Sequence, residues 1–180
     1  MPETPHQIVE RRLAAWAVDL GPDRVVYTNH VLRVLSFCDL LAPPGTPAPS
    51  TREEFLTAAV CHDLGIWTAG TFDYLDPSEA LARQWLTDHG HETLIPLVDS
   101  MIDDHHKIRR SRDPRPEVEL FRRGDLVDFS AGQLRFGISR SDYRAVVDRY
   151  PNTGFRRLLA HLATHRVRTH PLSPLPMVKW

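Results

Sequence analysis

At 180 residues, with 22 Lys and Arg against 23 Asp and Glu and a formal net charge of −1, the chain suits one domain around a single core. It has no charge excess that would recruit a nucleic-acid polymer or an anionic membrane. Cys38 and Cys61 lie in apolar surroundings without a Cys-x-x-Cys spacing, which excludes a disulfide framework and suits buried thiols of a cytoplasmic protein. No run of about 18 apolar residues and no leader-like basic and apolar segment is seen, so a soluble protein is expected.

Thr4-Pro5-His6-Gln7 combines an N-cap, a proline at the first helical position and a Gln three residues on, a capping box that opens a helix to about Leu20. Gly21-Pro22 stops it. The next helix, about Arg24 to Leu41, carries Val26, His30, Val34, Phe37 and Leu41 on one face, so His30 falls inside an apolar stripe. The Pro-rich link Ala42 to Ser50 is non-helical. Thr51-Arg52-Glu53-Glu54 then reads as a second capping box, opening the helix that bears Phe55, Ala59, His62 and Ile66 on one face, with Asp63 beside His62.

A loop through Gly70 and Asp76 precedes a helix that Gly90 ends, with His89 in its last turn. A further helix, about Thr93 to Lys107, buries Leu94, Leu97, Val98, Met101 and Ile102 and delivers His105 and His106 at its C-terminal end. After the basic loop Lys107 to Arg115, Pro116 opens a helix in which Val118, Phe121, Asp125 and Asp128 share one stripe. Two more helices, about Ser141 to Tyr150 and Gly154 to Arg168, and an extended tail from Thr169 to Trp180 complete the chain. Period-2 alternation is absent and no internal repeat is found, so the expectation is an all-α, compact single-domain helical bundle. Residues 25–129 form its core.

An imidazole and a carboxylate at the end of an apolar run are costly to bury unless something pairs with them, and a divalent metal pairs with both. His30, His62, Asp63 and Asp125 point inward from three helices, a donor set that suits zinc, iron, manganese or nickel. In order and context they resemble the ligand blocks of the HD-domain superfamily of metal-dependent phosphohydrolases. Asn29-His30-Val31-Leu32-Arg33-Val34, Cys61-His62-Asp63-Leu64-Gly65 and Gly124-Asp125-Leu126-Val127-Asp128 are similar to its three signature blocks. The resemblance implies an HD-type bundle in which His30, His62, Asp63 and Asp125 ligate one divalent metal. There the metal acts as a Lewis acid and lowers the pKa of bound water. Asp128, on the same stripe as Asp125, is the competing ligand or orients a ligand from behind.

The resemblance also bears on the reaction. Nucleotidase-like members carry acids where this chain has Ile66 and Thr71, leaving Asp73 and Asp76 as substitute acid/base candidates. Dinuclear members, phosphodiesterases and diiron oxygenases, add histidines after the motif. His89, His91, His105 and His106 are the raw material for a second metal or a pocket. The Gly-Tyr-Pro motif of those phosphodiesterases is replaced by Lys107-Ile108-Arg109-Arg110. The run from His62 through Ala80 to Gly90 is also similar to cyanamide hydratase-like members, which hydrate a small nitrile-like substrate on zinc.

Lys107, Arg109, Arg110 and Arg112 form the one local basic cluster, suited to a substrate phosphate or carboxylate, with Lys107 and Arg109 as the first candidates. His161 and His165 read as a packed or solvated pair. The leading expectation is a hydrolase acting on a small phosphate ester or nucleotide. Hydration of a nitrile, diiron oxygenation, and a degenerate domain that binds a nucleotide or a protein stand as alternatives, with oligomeric state open.

Overall fold

The computed structural model describes residues 3–70, 73–152 and 154, and among these every regular element is helical. Thr71, the helix expected over 154–168 with His161 and His165, and the tail 169–180 lie outside the described residues. Helix α1 (Pro5–Leu13) starts at the expected capping box: Gln7 N donates to Thr4 Oγ1 at 3.3 Å and Thr4 N to Gln7 Oε1 at 2.9 Å. It does not run unbroken to Leu20. A 3₁₀ turn over Ala14–Trp16 intervenes before the short helix α2 (Ala17–Leu20). Arg12, buried, pins α1 to the helix that follows the Pro-rich link through a two-point ion pair with Glu53 at 2.9 and 2.6 Å.

Helix α3 (Arg24–Leu41) has the expected bounds but not the expected exposure. The spacing predicts a single stripe, whereas Tyr27, Thr28 and His30 to Leu35, then Phe37 and Cys38, are all buried. A helix covered on most sides is central rather than amphipathic. It packs along α8 (Pro116–Phe129) and against α1, α4 (Glu53–Cys61) and α9 (Arg140–Arg149). Helices α6 (Leu75–Asp88) and α7 (Ile95–Asp104) lie against each other, and α7 also meets α4 and α8. The main core joins Val31, Val34 and Leu35 to Phe55, Ala59, Met101, Ile102 and Phe121; a smaller cluster of Phe37, Val127 and Ile138 supports α9.

Three boundaries differ from the sequence expectation in ways that matter. Thr51 forms no capping box: it belongs to a 3₁₀ turn over Pro49–Thr51, its hydroxyl donates to Ala48 O, and Arg52 is the N-cap residue. Helix α4 stops at Cys61, so His62 and Asp63 sit in a tight turn before the short helix α5 (Gly65–Thr68), rather than within a helix. The turn is drawn by i→i+3 bonds, Leu64 N to Cys61 O and Ile66 N to Asp63 O, both 3.0 Å. Likewise α7 ends at Asp104 and leaves His105 and His106 in the following turn, and residues 92–94 are 3₁₀. By contrast α6 stops as expected, with His91 N to Leu86 O and Gly90 N to Thr87 O closing a Schellman-type turn.

Candidate metal centre

Two close approaches bring the site together. Gly124 lets α8 lie directly on α3: a Cβ there would collide with Cys38 Sγ and stand 3.1 Å from Val34 O. Gly65 does the same for the turn after α4, where a Cβ would run into Tyr74 O and meet Ser78 Oγ at 2.9 Å. Asp125 and Asp63, each next to or two residues from such a glycine, are thereby carried inward.

His30, from the middle of α3, and His62, from the end of α4, face each other Nε2 to Nε2 at 2.9 Å. Around them stand Asp63 Oδ2, 3.7 Å from His30 Nε2 and 3.6 Å from His62 Nε2, and Asp125 Oδ1, at 3.6 and 3.8 Å. All four residues are at most 3% exposed. Donors about 2.1 Å from one cation would stand about 3.0–3.4 Å apart in octahedral or tetrahedral arrangement, which is near the separations among His30, His62 and Asp63 and between each imidazole and Asp125. Asp63 points its other oxygen, Oδ1, toward His105 Nε2 at 3.4 Å and His106 Nε2 at 3.9 Å. Both groups, His30 with His62 and Asp63, and Asp63 with His105 and His106, have donor atoms close enough to hold a metal ion.

The second nitrogen of each ring explains why the first is available. His30 Nδ1 lies 2.7 Å from Asp128 Oδ2, His62 Nδ1 2.8 Å from Ala59 O, and His105 Nδ1 2.5 Å from Ile102 O. An ionised carboxylate and a carbonyl accept only, so each Nδ1 carries the hydrogen and donates it. In the neutral rings, each Nε2 then presents a lone pair to the same space. Asp63 Oδ1, His105 Nε2 and Asp125 Oδ2 are buried with no well-formed hydrogen bond among the described residues. Orphaned buried polar atoms of this kind are costly unless a proton or a cation satisfies them.

Electrostatics agrees. Burial pushes His62 down to about 3, so it stays neutral, while Asp125 is pushed up to about 6 by burial, with neighbouring Asp63 and Asp128 adding to the rise. Burial also works to raise Asp63 and Asp128. It is overcome at Asp63 by His62, His105 and His106, and at Asp128 by the bonds to His30 and Arg33, so both sit well below the usual carboxylate range. Burial works to lower His105, but its contact with Asp63 and the charges of Asp125 and Asp63 raise it, and Arg33 accompanies Asp128, so Asp125 is the acid of the cluster left resisting ionisation.

No family model, no curated protein and no solved structure matches the chain. The site therefore stands on its own geometry.

The structure brings His30, His62, Asp63, Asp125, Asp128 and His105 into one buried cluster, with His106 partly buried at its edge. It places the other candidates elsewhere. His89 is exposed, stacked on Trp85 at 4.0 Å with Nδ1 on Trp85 O, and is no part of the pocket. Asp73 and Asp76 are exposed around the start of α6. Lys107 is half-buried and engaged by Asp104 at 2.5 Å, whereas Arg109 and Arg110 are exposed on the loop that follows His106. That loop is anchored to α8 by Arg122 Nη1 on Lys107 O at 2.8 Å and by Ser111 N on Glu119 at 3.1 Å.

Two residues of the site escaped the sequence reading. Tyr74, 1% exposed, puts its hydroxyl 2.6 Å from His106 Nε2 and beside Asp63, and burial with the Asp63 charge pushes its pKa well up. It precedes a helix in a stretch without periodicity, so only its aromatic character hinted at burial. Arg33, fully buried, clasps Asp128 with two bonds, Nε to Oδ1 at 2.7 Å and Nη2 to Oδ2 at 2.8 Å. Its signal was a cation one turn from His30 in an apolar stripe.

Proposed function

We propose that this protein is a metal-dependent hydrolase of the HD-domain type, acting on a small phosphate ester or nucleotide in the cytoplasm. One observation carries the reading: two imidazoles and two carboxylates from three separate parts of the chain meet in one buried space, the two Nε2 atoms 2.9 Å apart and each 3.6–3.8 Å from an oxygen of Asp63 and of Asp125. A bound zinc, manganese, nickel or iron would supply Lewis acidity and a lowered pKa for coordinated water. His30, His62, Asp63 and Asp125 would hold it, with Asp128 and the Ala59 carbonyl fixing the two rings from behind. Tyr74 keeps its phenolic proton beside Asp63, with its hydroxyl 2.6 Å from His106 Nε2, so the far wall of the pocket carries a neutral hydroxyl. Arg109, on the exposed loop next to His106, offers a guanidinium to the substrate's anionic group.

A two-metal form is favoured by a separate observation, the split of the Asp63 carboxylate between the His30–His62 side and the His105–His106 side. Against it, His106 Nε2 is already held by the Tyr74 hydroxyl. Metal analysis of the purified protein, with hydrolysis assays on nucleoside monophosphates, p-nitrophenyl phosphate and bis(p-nitrophenyl) phosphate, tests the reading. One equivalent of metal and monoester hydrolysis lost in Asp63→Asn supports it. Two equivalents with diester hydrolysis support the two-metal form. A protein that binds no divalent metal, or whose hydrolysis survives Asp63→Asn, defeats both.

A further inference from the structure

The network behind His30 does not stop at Asp128. Arg33 lies one turn beyond His30 on α3 and turns its planar guanidinium onto both oxygens of Asp128, a fork that fixes the carboxylate plane as a single hydrogen bond would not. Its remaining nitrogen, Nη1, donates to Tyr150 O at 3.0 Å and Pro151 O at 3.3 Å, the first carbonyls after α9. Asn29 Nδ2 reaches the same Pro151 O at 3.0 Å. An arginine with no exposed surface needs acceptors on every side, and here they come from the carboxylate that holds His30 and from the chain leaving α9.

We propose that Arg33 is a positioning residue of the metal centre: by clamping Asp128 against the Tyr150–Pro151 carbonyls, it fixes the ring plane and the Nδ1–H tautomer of His30, and so ties the exit of α9 to the geometry of the site. The inference takes the metal reading of His30 as its basis. It assigns Arg33 a role that acts through Asp128, without contact to metal or substrate. Arginine is needed for its shape. Lysine at this place keeps the charge but can meet only one carboxylate oxygen in line and cannot at the same time hold the two backbone carbonyls.

The test compares the full-length wild type with Arg33→Lys, Asp128→Asn and the double variant. Folding is checked by near-UV circular dichroism, zinc and manganese affinity by calorimetry, and the His30 tautomer by ¹⁵N spectra of the metal-free protein. The expected result is that Arg33→Lys folds, binds metal about 10–100-fold more weakly, and shows His30 no longer as a single Nδ1–H tautomer. The double variant should be no weaker than Asp128→Asn alone, because both changes cut one chain of contacts. Unchanged affinity with an unchanged tautomer in Arg33→Lys overturns the proposal, as does additivity of the two changes. If Arg33→Lys does not fold, Arg33→Gln, which retains planar donors without the charge, is put through the same measurements, and there an unchanged tautomer overturns the proposal. Should wild type bind no metal, the reading of the site as a metal centre fails while the tautomer measurement still decides the role of Arg33.

Discussion

His30 Nε2 and His62 Nε2 stand 2.9 Å apart while each ring gives its Nδ1 hydrogen to an acceptor on the opposite side, Asp128 for one and the Ala59 carbonyl for the other. Two lone pairs at that distance repel unless a proton or a cation lies between or beside them. Asp63 and Asp125 each bring an oxygen within 3.8 Å of both nitrogens, and a divalent cation bound there would relieve the repulsion. Chelator-treated protein is therefore expected to be less stable than metal-loaded protein. At a free metal concentration 100 times the dissociation constant, the gain is about 2.7 kcal/mol. For a chain of this size that corresponds to a rise in melting temperature of about 5–10 °C. Thermal scans across a zinc or manganese titration measure it, and a flat response would exclude the cation.

The fold is legible in the sequence where a periodic run meets a clear start or stop signal. Helix α3 was bounded correctly from Arg24 to Leu41, and the turn at Gly90 from a single glycine after a polar helix end. Both histidine-bearing turns were misread as helix, because His62-Asp63 and His105-His106 continue apolar stripes that break only through local i→i+3 bonds. Periodicity does not see such bonds. The cluster itself was anticipated from His30, His62, Asp63 and Asp125, since inward carboxylates and imidazoles on separate helices need a common partner. Tyr74 and Arg33 were missed for a shared reason: their roles depend on partners 32 and 95 residues away in sequence. His89 was overcounted because a histidine at a helix end looks the same whether it stacks on Trp85 or faces a pocket.

Replacing Asp125 by Asn should separate stability from metal binding. In metal-free protein Asp125 is pushed up to about 6 by burial, with Asp63 and Asp128 adding repulsion, so its ionisation near neutral pH is a standing cost. The amide removes that cost and also removes the anionic donor. Metal-free Asp125→Asn is expected to be more stable than wild type by roughly 1–3 kcal/mol at pH 7.5. Metal should no longer raise its melting temperature. Chemical denaturation of both proteins with and without metal checks the pair of outcomes, and a destabilised variant that still responds to metal would contradict the assignment.

The same carboxyl sets the pH dependence. Its folded pKa, about 6, lies above the ordinary value of 3.8, so between those pH values the folded chain holds a proton that the unfolded chain releases. By linkage this contribution stabilises metal-free protein at low pH and is lost as pH rises toward 6. A metal must expel that proton to bind Asp125, so affinity should fall as pH drops below about 6, approaching tenfold per pH unit. His62, held down to about 3 by burial, adds no proton to the count in this range. Calorimetry at pH 5 in buffers of different ionisation enthalpy should show about one proton released from the Asp125 site.

Gly124→Ala tests whether the approach of α8 to α3 is what delivers Asp125. The added methyl would collide with Cys38 Sγ and crowd Val34 O at 3.1 Å and Cys38 N at 3.3 Å, two of the three being backbone atoms that cannot swing aside. The helices must separate, which overpacked cores do at a cost of about 1–3 kcal/mol. Because Asp125 follows Gly124 directly, the separation also withdraws a donor from His30 and His62, so metal affinity should fall with stability. The companion change Cys38→Ala removes the struck sulfur and should restore much of both in the double variant. Melting temperature and metal affinity measured across the four-protein cycle decide the matter: recovery of stability without recovery of affinity would show that α8 spacing does not govern the site.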